Sequence, residues 1–282
     1  KFAIVAKSPL TGFVNDAMCS SHFAIAGKLS GHDAIVIRGT CTAPSVIVID
    51  GDGVRVEPAD ELWGLSAAET ETRLRDQLGS RYRVGAIGPA GERLVRYATL
   101  SHEGRHAGRG GIGAVLGAKR VKAIAVAPSA RVASADPAGV LALAQELRKR
   151  SFGPATAKYR ELGTLANLLA FNALSILPTR NFREASFEGA TALSAEQLGE
   201  LRNQTRASCA SCTIGCEHIY ESAQGKSVRV EYENVFSLGP MCGVADPDAV
   251  LEASRRCDNF GLDTISTGGT IAFVTGIYEE LI

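Results

Sequence analysis

Three cysteines within eight residues, Cys209-Ala-Ser-Cys212-Thr-Ile-Gly-Cys216, are the part of this chain best equipped for chemistry. Thiolates are soft ligands, and C-x2-C-x3-C spacing lets them converge on one metal centre; an iron-sulfur cluster takes four such ligands. The stretch supplies three. Cys19, Cys41, Cys242 and Cys257 are the internal candidates for a fourth, and a ligand from elsewhere is the other option. Two further readings stay open: a zinc ribbon, although that ordinarily pairs two C-x2-C knuckles, and small buried cysteines sharing a loop by chance.

A second group of residues suits anion binding. His102 to Lys119 holds glycines at 104, 108, 110, 111, 113 and 117 with Arg105 and Arg109 among them. Glycine lets a backbone approach an anion closely, helix-start N–H groups favour phosphate, and arginine adds charge-assisted bonds. Gly108-x-Gly110-x-x-Gly113 matches a dinucleotide fingerprint, but no strand-like run precedes it, and a tight turn before a close-packed helix explains the same glycines. Asp258-Asn-Phe-Gly-Leu-Asp263 reads first as a corner between two helices, with Gly261 turning and Asp263 or Thr264 capping. Leu177-Pro-Thr-Arg-Asn-Phe182 reads as an ordinary proline turn. Glu231-Tyr-Glu233 is a solvated pair by default; in an extended segment its carboxylates would lie about 6.5 to 7 Å apart on one face, so only one could reach a given proton.

The elements that must position these groups fall into two kinds. Up to about residue 130, β-branched runs at 33–38, 45–50, 93–100 and 122–127 alternate with glycine-rich turns, Asp50-Gly-Asp-Gly53 reads as a hairpin, and one helix is expected at 67–78. From Asp136-Pro137 the period becomes helical, with Asp136 as cap and Pro137 in the first turn. Further helices are expected at 155–173, 194–204, 247–260 and 264–281, the last read on through Ile282. The fold class is therefore α+β: an N-terminal β-rich domain, residues 1–132, followed by an α-helical domain, 133–282.

Composition narrows the function. Lys+Arg and Asp+Glu are both 30, so no global field favours nucleic acid or an acidic membrane. No apolar run approaches the ~18 residues of a spanning helix. Seven cysteines, an odd number with three clustered, suit a reducing compartment, which points to the cytoplasm. The chain opens directly into Phe2-Ala-Ile-Val-Ala6 without Met, which reads as a piece of something longer.

Taken together, Lys7-Ser-Pro-Leu-Thr-Gly12, Gly108 to Gly117, Leu177 to Phe182, the three cysteines, Glu231-Tyr-Glu233, Cys242-Gly-Val and Asp258-x-x-Gly-Leu-Asp263 occur in the order seen in aldehyde:ferredoxin oxidoreductases, and the chain resembles that family from end to end. The resemblance implies a tungsten or molybdenum bis-pterin cofactor, with Mg2+ bridging pterin phosphates, and a [4Fe-4S] cluster. It implies oxidation of an aldehyde to a carboxylic acid with electrons passed to ferredoxin, and allows a homodimer. Cys209, Cys212 and Cys216 match three cluster ligands, and the fourth is expected beyond Ile282. Cys242 and Cys257 then become non-ligands. Asp258, Gly261, Leu262 and Asp263 match a pterin-binding loop whose second copy would lie in an absent C-terminal part. Arg109, with Gly110 and Gly111 and the adjacent Arg105, matches the region holding the cofactor's phosphates, Lys7 a cofactor-side segment, and Glu233 a glutamate near the metal. Asn15 to His22 departs from the family's Gly- and Asn-bearing stretch, which removes the basis for phosphate contacts there. The rival readings are a tungstopterin subunit reducing an aromatic acyl-CoA and a non-catalytic iron-sulfur electron carrier.

Overall fold

The structure, a computed structural model, describes residues 1–281 and divides them into two compact units, Lys1–Ala133 with Asp258–Asp263, and Ser134–Cys257 with the chain from Thr264 onward.

The first unit opens with an antiparallel hairpin, β1 (Phe2–Lys7) and β2 (Val14–Cys19), in register from Phe2↔Cys19 to Lys7↔Val14. Buried Ser8 makes its turn: the Ser8 N–H donates to the Phe13 carbonyl, the hydroxyl accepts from the N–H groups of Leu10 and Thr11, and Gly12 takes φ 77°. A short helix follows, α1 (His22–Lys28), capped by the Ser21 hydroxyl. The main sheet comprises β3 (Ser45–Asp50), β4 (Gly53–Pro58), β5 (Arg83–Ile87), β6 (Leu100–His102), β7 (Arg105–Ala107) and β8 (Val121–Val126) in the order β4-β3-β8-β5-β6-β7. Only β3 and β8 pair in parallel.

Both central strands are buried throughout because the sheet is covered on two faces. Ile47, Ile49, Ile124 and Val126 face a cluster with Phe23, Ile112 and Leu116; the alternate residues Val46, Val48, Ala123 and Ala125 face Leu62, Leu74 and Tyr82. Leu74 belongs to α2 (Ala67–Leu78), which Ser66 and Glu69 start with a reciprocal capping box. Buried between these layers, Lys122 donates to the carbonyls of Leu65 (2.7 Å) and Ile87 (2.8 Å) and pairs with Glu92. Burial holds its ammonium pKa below the usual lysine value.

Two expected strands do not form. Residues 33–38 have no strand partner and stay largely exposed, Val36 by 79%, with only Ile37 of their β-branched residues packed against the core. In 93–100 only Leu100 is extended. Pro89 instead starts the helical turn α3 (Pro89–Glu92), and Leu94 takes φ 59° to leave it. That turn packs on α4 (Ile112–Ala118) at backbone contact: a Cβ on Gly117 would lie 1.9 Å from the Gly91 carbonyl oxygen.

The second unit begins with α5 (Pro137–Ser151), whose first N–H groups are met by Asp136. The single helix expected at 155–173 is broken into α6 (Ala157–Leu162) and α7 (Asn167–Ala173) by Gly163, at φ 67°. After α8 (Ala195–Leu201) come three strands that sequence periodicity does not reveal: β9 (Gln204–Ala207), β10 (Glu217–Glu221) and β11 (Ser227–Val230), antiparallel in the order β11-β10-β9. Then follow α9 (Tyr232–Leu238), α10 (Pro247–Phe260) and α11 (Thr264–Leu281). Gly268 brings α11 against α9, since a Cβ there would stand 2.0 Å from the Ser237 carbonyl oxygen. The helix expectation through Ile282 lies, at that residue, outside the described residues. Among the described residues no helix is long and apolar enough to cross a membrane.

Candidate functional site

The three clustered cysteines lie in the loop that joins β9 to β10, closed by the pair Ala207↔Glu217. Ser211 (φ 63°) and Gly215 (φ 65°) fold it tightly, the Cys212 N–H donates to the Cys209 carbonyl at 2.9 Å, and the Ile214 N–H points at the Cys212 sulfur, 3.5 Å away. Burial pushes the Cys216 thiol pKa up, and Glu231 and the other two cysteines add to this. Among the described residues no group of three or more His, Cys, Asp or Glu side chains is gathered closely enough to hold a single ion. Three thiols in one tight loop, with a main-chain N–H directed at the Cys212 sulfur, are the donor type that an iron-sulfur cluster takes.

The Gly-rich segment and the loop 258–263 come together within the first unit. Close packing of the chain accounts for Gly110, Gly111, Gly113 and Gly117 of the Gly-rich segment. A Cβ on Gly110 would meet the Asn15 side chain at 2.2 Å, one on Gly111 the Arg96 carbonyl at 2.1 Å, and one on Gly113 the Thr99 carbonyl at 2.4 Å. Gly110 and Gly111 also hold φ of 88° and 78°, which favour glycine at both positions. The departing stretch after Gly12 has its own task here: the Asn15 amide donates to the Arg109 carbonyl at 3.1 Å. Arg109 itself projects outward, its side chain 62% exposed, with Nε 3.9 Å from Asp263 Oδ2. Lys7 is exposed at the end of β1, and Arg105 is half-buried on β7 opposite His102.

Loop 258–263 is pinned to the segment Tyr97–Ser101 by main-chain bonds. Thr99 N–H donates to the Gly261 carbonyl (2.9 Å), Asp263 N–H donates to the Tyr97 carbonyl (3.1 Å), and Leu262 bridges to Ala98. Gly88 and Gly261 let the chains touch; a Cβ on Gly88 would stand 2.5 Å from the Phe260 carbonyl oxygen. Asp258 receives a partner that the sequence did not announce, His106, whose Nε2 is 3.0 Å from Oδ1. The other ring nitrogen, Nδ1, is 2.7 Å from the Ser101 hydroxyl, which in turn is 3.0 Å from Thr99 Oγ1. The signal that could have found it is the Glu103-Gly104 turn, both at positive φ (49° and 66°), which folds β6 onto β7 and sets Ser101 opposite His106.

Glu231 and Glu233 do not lie on an extended segment. Glu231 is the N-cap of α9 in a capping box with Asn234, and Glu233 stands exposed in the first helical turn. Cys242 is tied by its thiol to the carbonyls of Ser237 and Gly268, its pKa pushed up to about 11 by burial, and Cys257 is buried. Nor is 177–182 an ordinary proline turn. Arg180, Asn181 and Phe182 are successively left-handed (φ 44°, 55° and 61°), held by N–H bonds from Arg180 and Asn181 to the carbonyls of Pro240 and Met241. Arg180 and Asn181 border a cavity of about 120 Å³ with Cys242 and Gly243, while the Arg180 guanidinium pairs with Glu184 and Glu188.

Comparison with known proteins gives a consistent picture. A family model described as "Aldehyde ferredoxin oxidoreductase, N-terminal domain" matches residues 1–128, and one described as "domains 2 & 3" of the same enzyme matches residues 142–282. A protein of Thermococcus kodakarensis described as tungsten-containing aldehyde ferredoxin oxidoreductase is 38% identical over 99% of this chain and 47% of its own length; its Pyrococcus furiosus counterpart is 36% identical with the same coverage. A P. furiosus protein described as the WOR-like subunit of an aliphatic sulfonate oxidoreductase is 28% identical, over 99% of this chain and 48% of its own. The chain thus spans about half the length of the curated relatives it matches. Its fold is shared with the active-site complex BamBC of benzoyl coenzyme A reductase, with TM-score 0.83 at 23% identity, covering 99% of this chain and 45% of that one.

Proposed function

The chain belongs to the aldehyde ferredoxin oxidoreductase family, and from that premise we propose that it is the cofactor-holding part of a tungsten, or molybdenum, bis-pterin enzyme that oxidises aldehydes to carboxylic acids and passes electrons through a [4Fe-4S] cluster to ferredoxin. The observation that carries the reading is the meeting of loop 258–263 with Arg109 in one compact unit, two segments far apart in sequence that would both be needed around one pterin. When bound, the metal pterin supplies a two-electron oxidation and the cluster an exit for electrons one at a time.

The residues of this chain would do the rest. Asp258 and Asp263 offer carboxylate oxygens to the N–H edge of a pterin, and exposed Arg109 offers a guanidinium to its phosphate. Cys209, Cys212 and Cys216 supply three cluster ligands. Conversion of an aldehyde and water to a carboxylic acid releases two electrons and two protons, and Glu233 accepts one of those protons at its carboxylate.

The test is analysis of the full-length protein for tungsten, molybdenum, iron and pterin, together with aldehyde-dependent reduction of ferredoxin or a viologen dye. Cluster iron with no pterin metal would instead make the protein an electron carrier. Activity on an aromatic acyl-CoA with none on aldehydes would transfer it to the ring-reducing class.

A further inference from the structure

We propose that His106 is the positioning residue of loop 258–263: backed by Ser101 and Thr99, its imidazole fixes the Asp258 carboxylate so that one oxygen faces the ring and the other is left for the N–H edge of a pterin. The inference rests on the pterin reading above, and it concerns residues that lie wholly within the first unit.

Thr99 and Ser101 are buried, so their hydroxyls must find partners inside the protein. They find each other and His106, at 3.0 and 2.7 Å. Of the two neutral tautomers of His106, only the one protonated on Nε2 sets a donor against Asp258. Nδ1 must then accept, which orders the other protons: Thr99 donates to Ser101, and Ser101 donates to Nδ1. The whole chain of dipoles points at one carboxylate.

Nε2 is also shielded from solvent. Its 3.0 Å approach to Asp258 Oδ1 is the polar contact that offsets this burial, although it is too oblique to count as a well-formed hydrogen bond. Turning Asp258 away would leave a buried donor with nothing to meet it. The segment leading into β6 holds the loop's main chain through Thr99 and Tyr97, so Asp258 is located by its backbone and by its side chain at once.

The experiment uses the full-length protein with His106→Phe, His106→Gln and Ser101→Ala. Pterin per polypeptide is measured by fluorescence after oxidative release, along with the first-order rate of pterin loss on warming; iron content and circular dichroism report folding. His106→Phe is expected to lose pterin about tenfold faster, the scale of one charge-assisted hydrogen bond. His106→Gln keeps a side-chain N–H and is expected to recover most of the loss. A Phe variant that retains pterin like wild type, or Phe and Gln variants equally impaired, would overturn the role. Should His106→Phe fail to fold, Ser101→Ala decides: about threefold faster loss supports the relay and an unchanged rate refutes it. A wild-type protein carrying iron but no pterin would sink the cofactor reading itself, and the role of His106 with it.

Discussion

Glu92 holds the ammonium group of Lys122 at the buried centre of the first unit, with neither side chain more than 5% exposed. The carboxylate also accepts from the Gly64 N–H, so the pair joins three separate segments of chain. Removing one partner leaves the other charge buried and unmatched. Glu92→Gln should therefore cost about 3 to 5 kcal/mol of stability, read as a large fall in melting temperature, whereas replacing both residues by apolar ones of similar volume should cost much less. Equal losses for the single and double replacements would show that the ion pair is not the source.

Acid sensitivity should centre on Asp50. Its carboxylate accepts from the Tyr82 hydroxyl, pairs with Arg55 at 2.6 Å and accepts from the Asp52 N–H, which together hold its pKa at about 2 against an ordinary 3.8. A folded-state pKa below the unfolded one means stabilisation that is fully present above the unfolded value and is lost as pH falls from 3.8 towards 2. Asp50→Asn should flatten the stability profile over that window, measured by denaturant titration. A variant with the wild-type slope there would exclude this residue as the origin.

Cys212→Ser should strip cluster iron and sulfide from the full-length protein while the main sheet of the first unit remains folded. Cys212 is the thiol at which the Ile214 N–H is aimed, and the loop is closed by strand pairing that does not need it. Iron and sulfide at the wild-type level would speak against the cluster.

Arg109→Ala should weaken pterin retention. With the side chain 62% exposed, its bond to a phosphate falls at the low end for charge-assisted contacts, about 1.5 kcal/mol or roughly tenfold in retention. Undiminished pterin content would return the segment to a purely packing role.

Glu233→Gln should leave metal, pterin and iron in place and lower kcat for aldehyde oxidation by ~10²-fold or more, the usual scale for general acid-base assistance. Exposed in the first turn of α9, Glu233 has little packing to lose. Loss of cofactor in this variant would mark it as structural, and a near-normal rate would end the assignment.

Much of the scaffold was legible where local signals agreed. β3 and β8 carry β-branched runs buried on both faces, and α2, α5 and α10 begin or end on caps and proline positions visible in the sequence. Failures came where partners decide. Residues 33–38 have strand-like composition without a neighbouring strand, while Gln204-Thr-Arg-Ala207 has little strand character and pairs anyway, because β10 lies beside it. The cysteine cluster declared itself by spacing. For His106 the Glu103-Gly104 turn hints at the hairpin register with Ser101, but its pairing with Asp258 depends on a loop that arrives from far along the chain.

The return of residues 258–263 to the first unit also sets a schedule. A nascent chain that has emerged only as far as Ala133 still lacks the carbonyl that meets the Thr99 N–H, the donor that meets the Tyr97 carbonyl and the partner of His106. Of these two units, the one that begins first is therefore completed only after the whole cysteine loop of the other has been made.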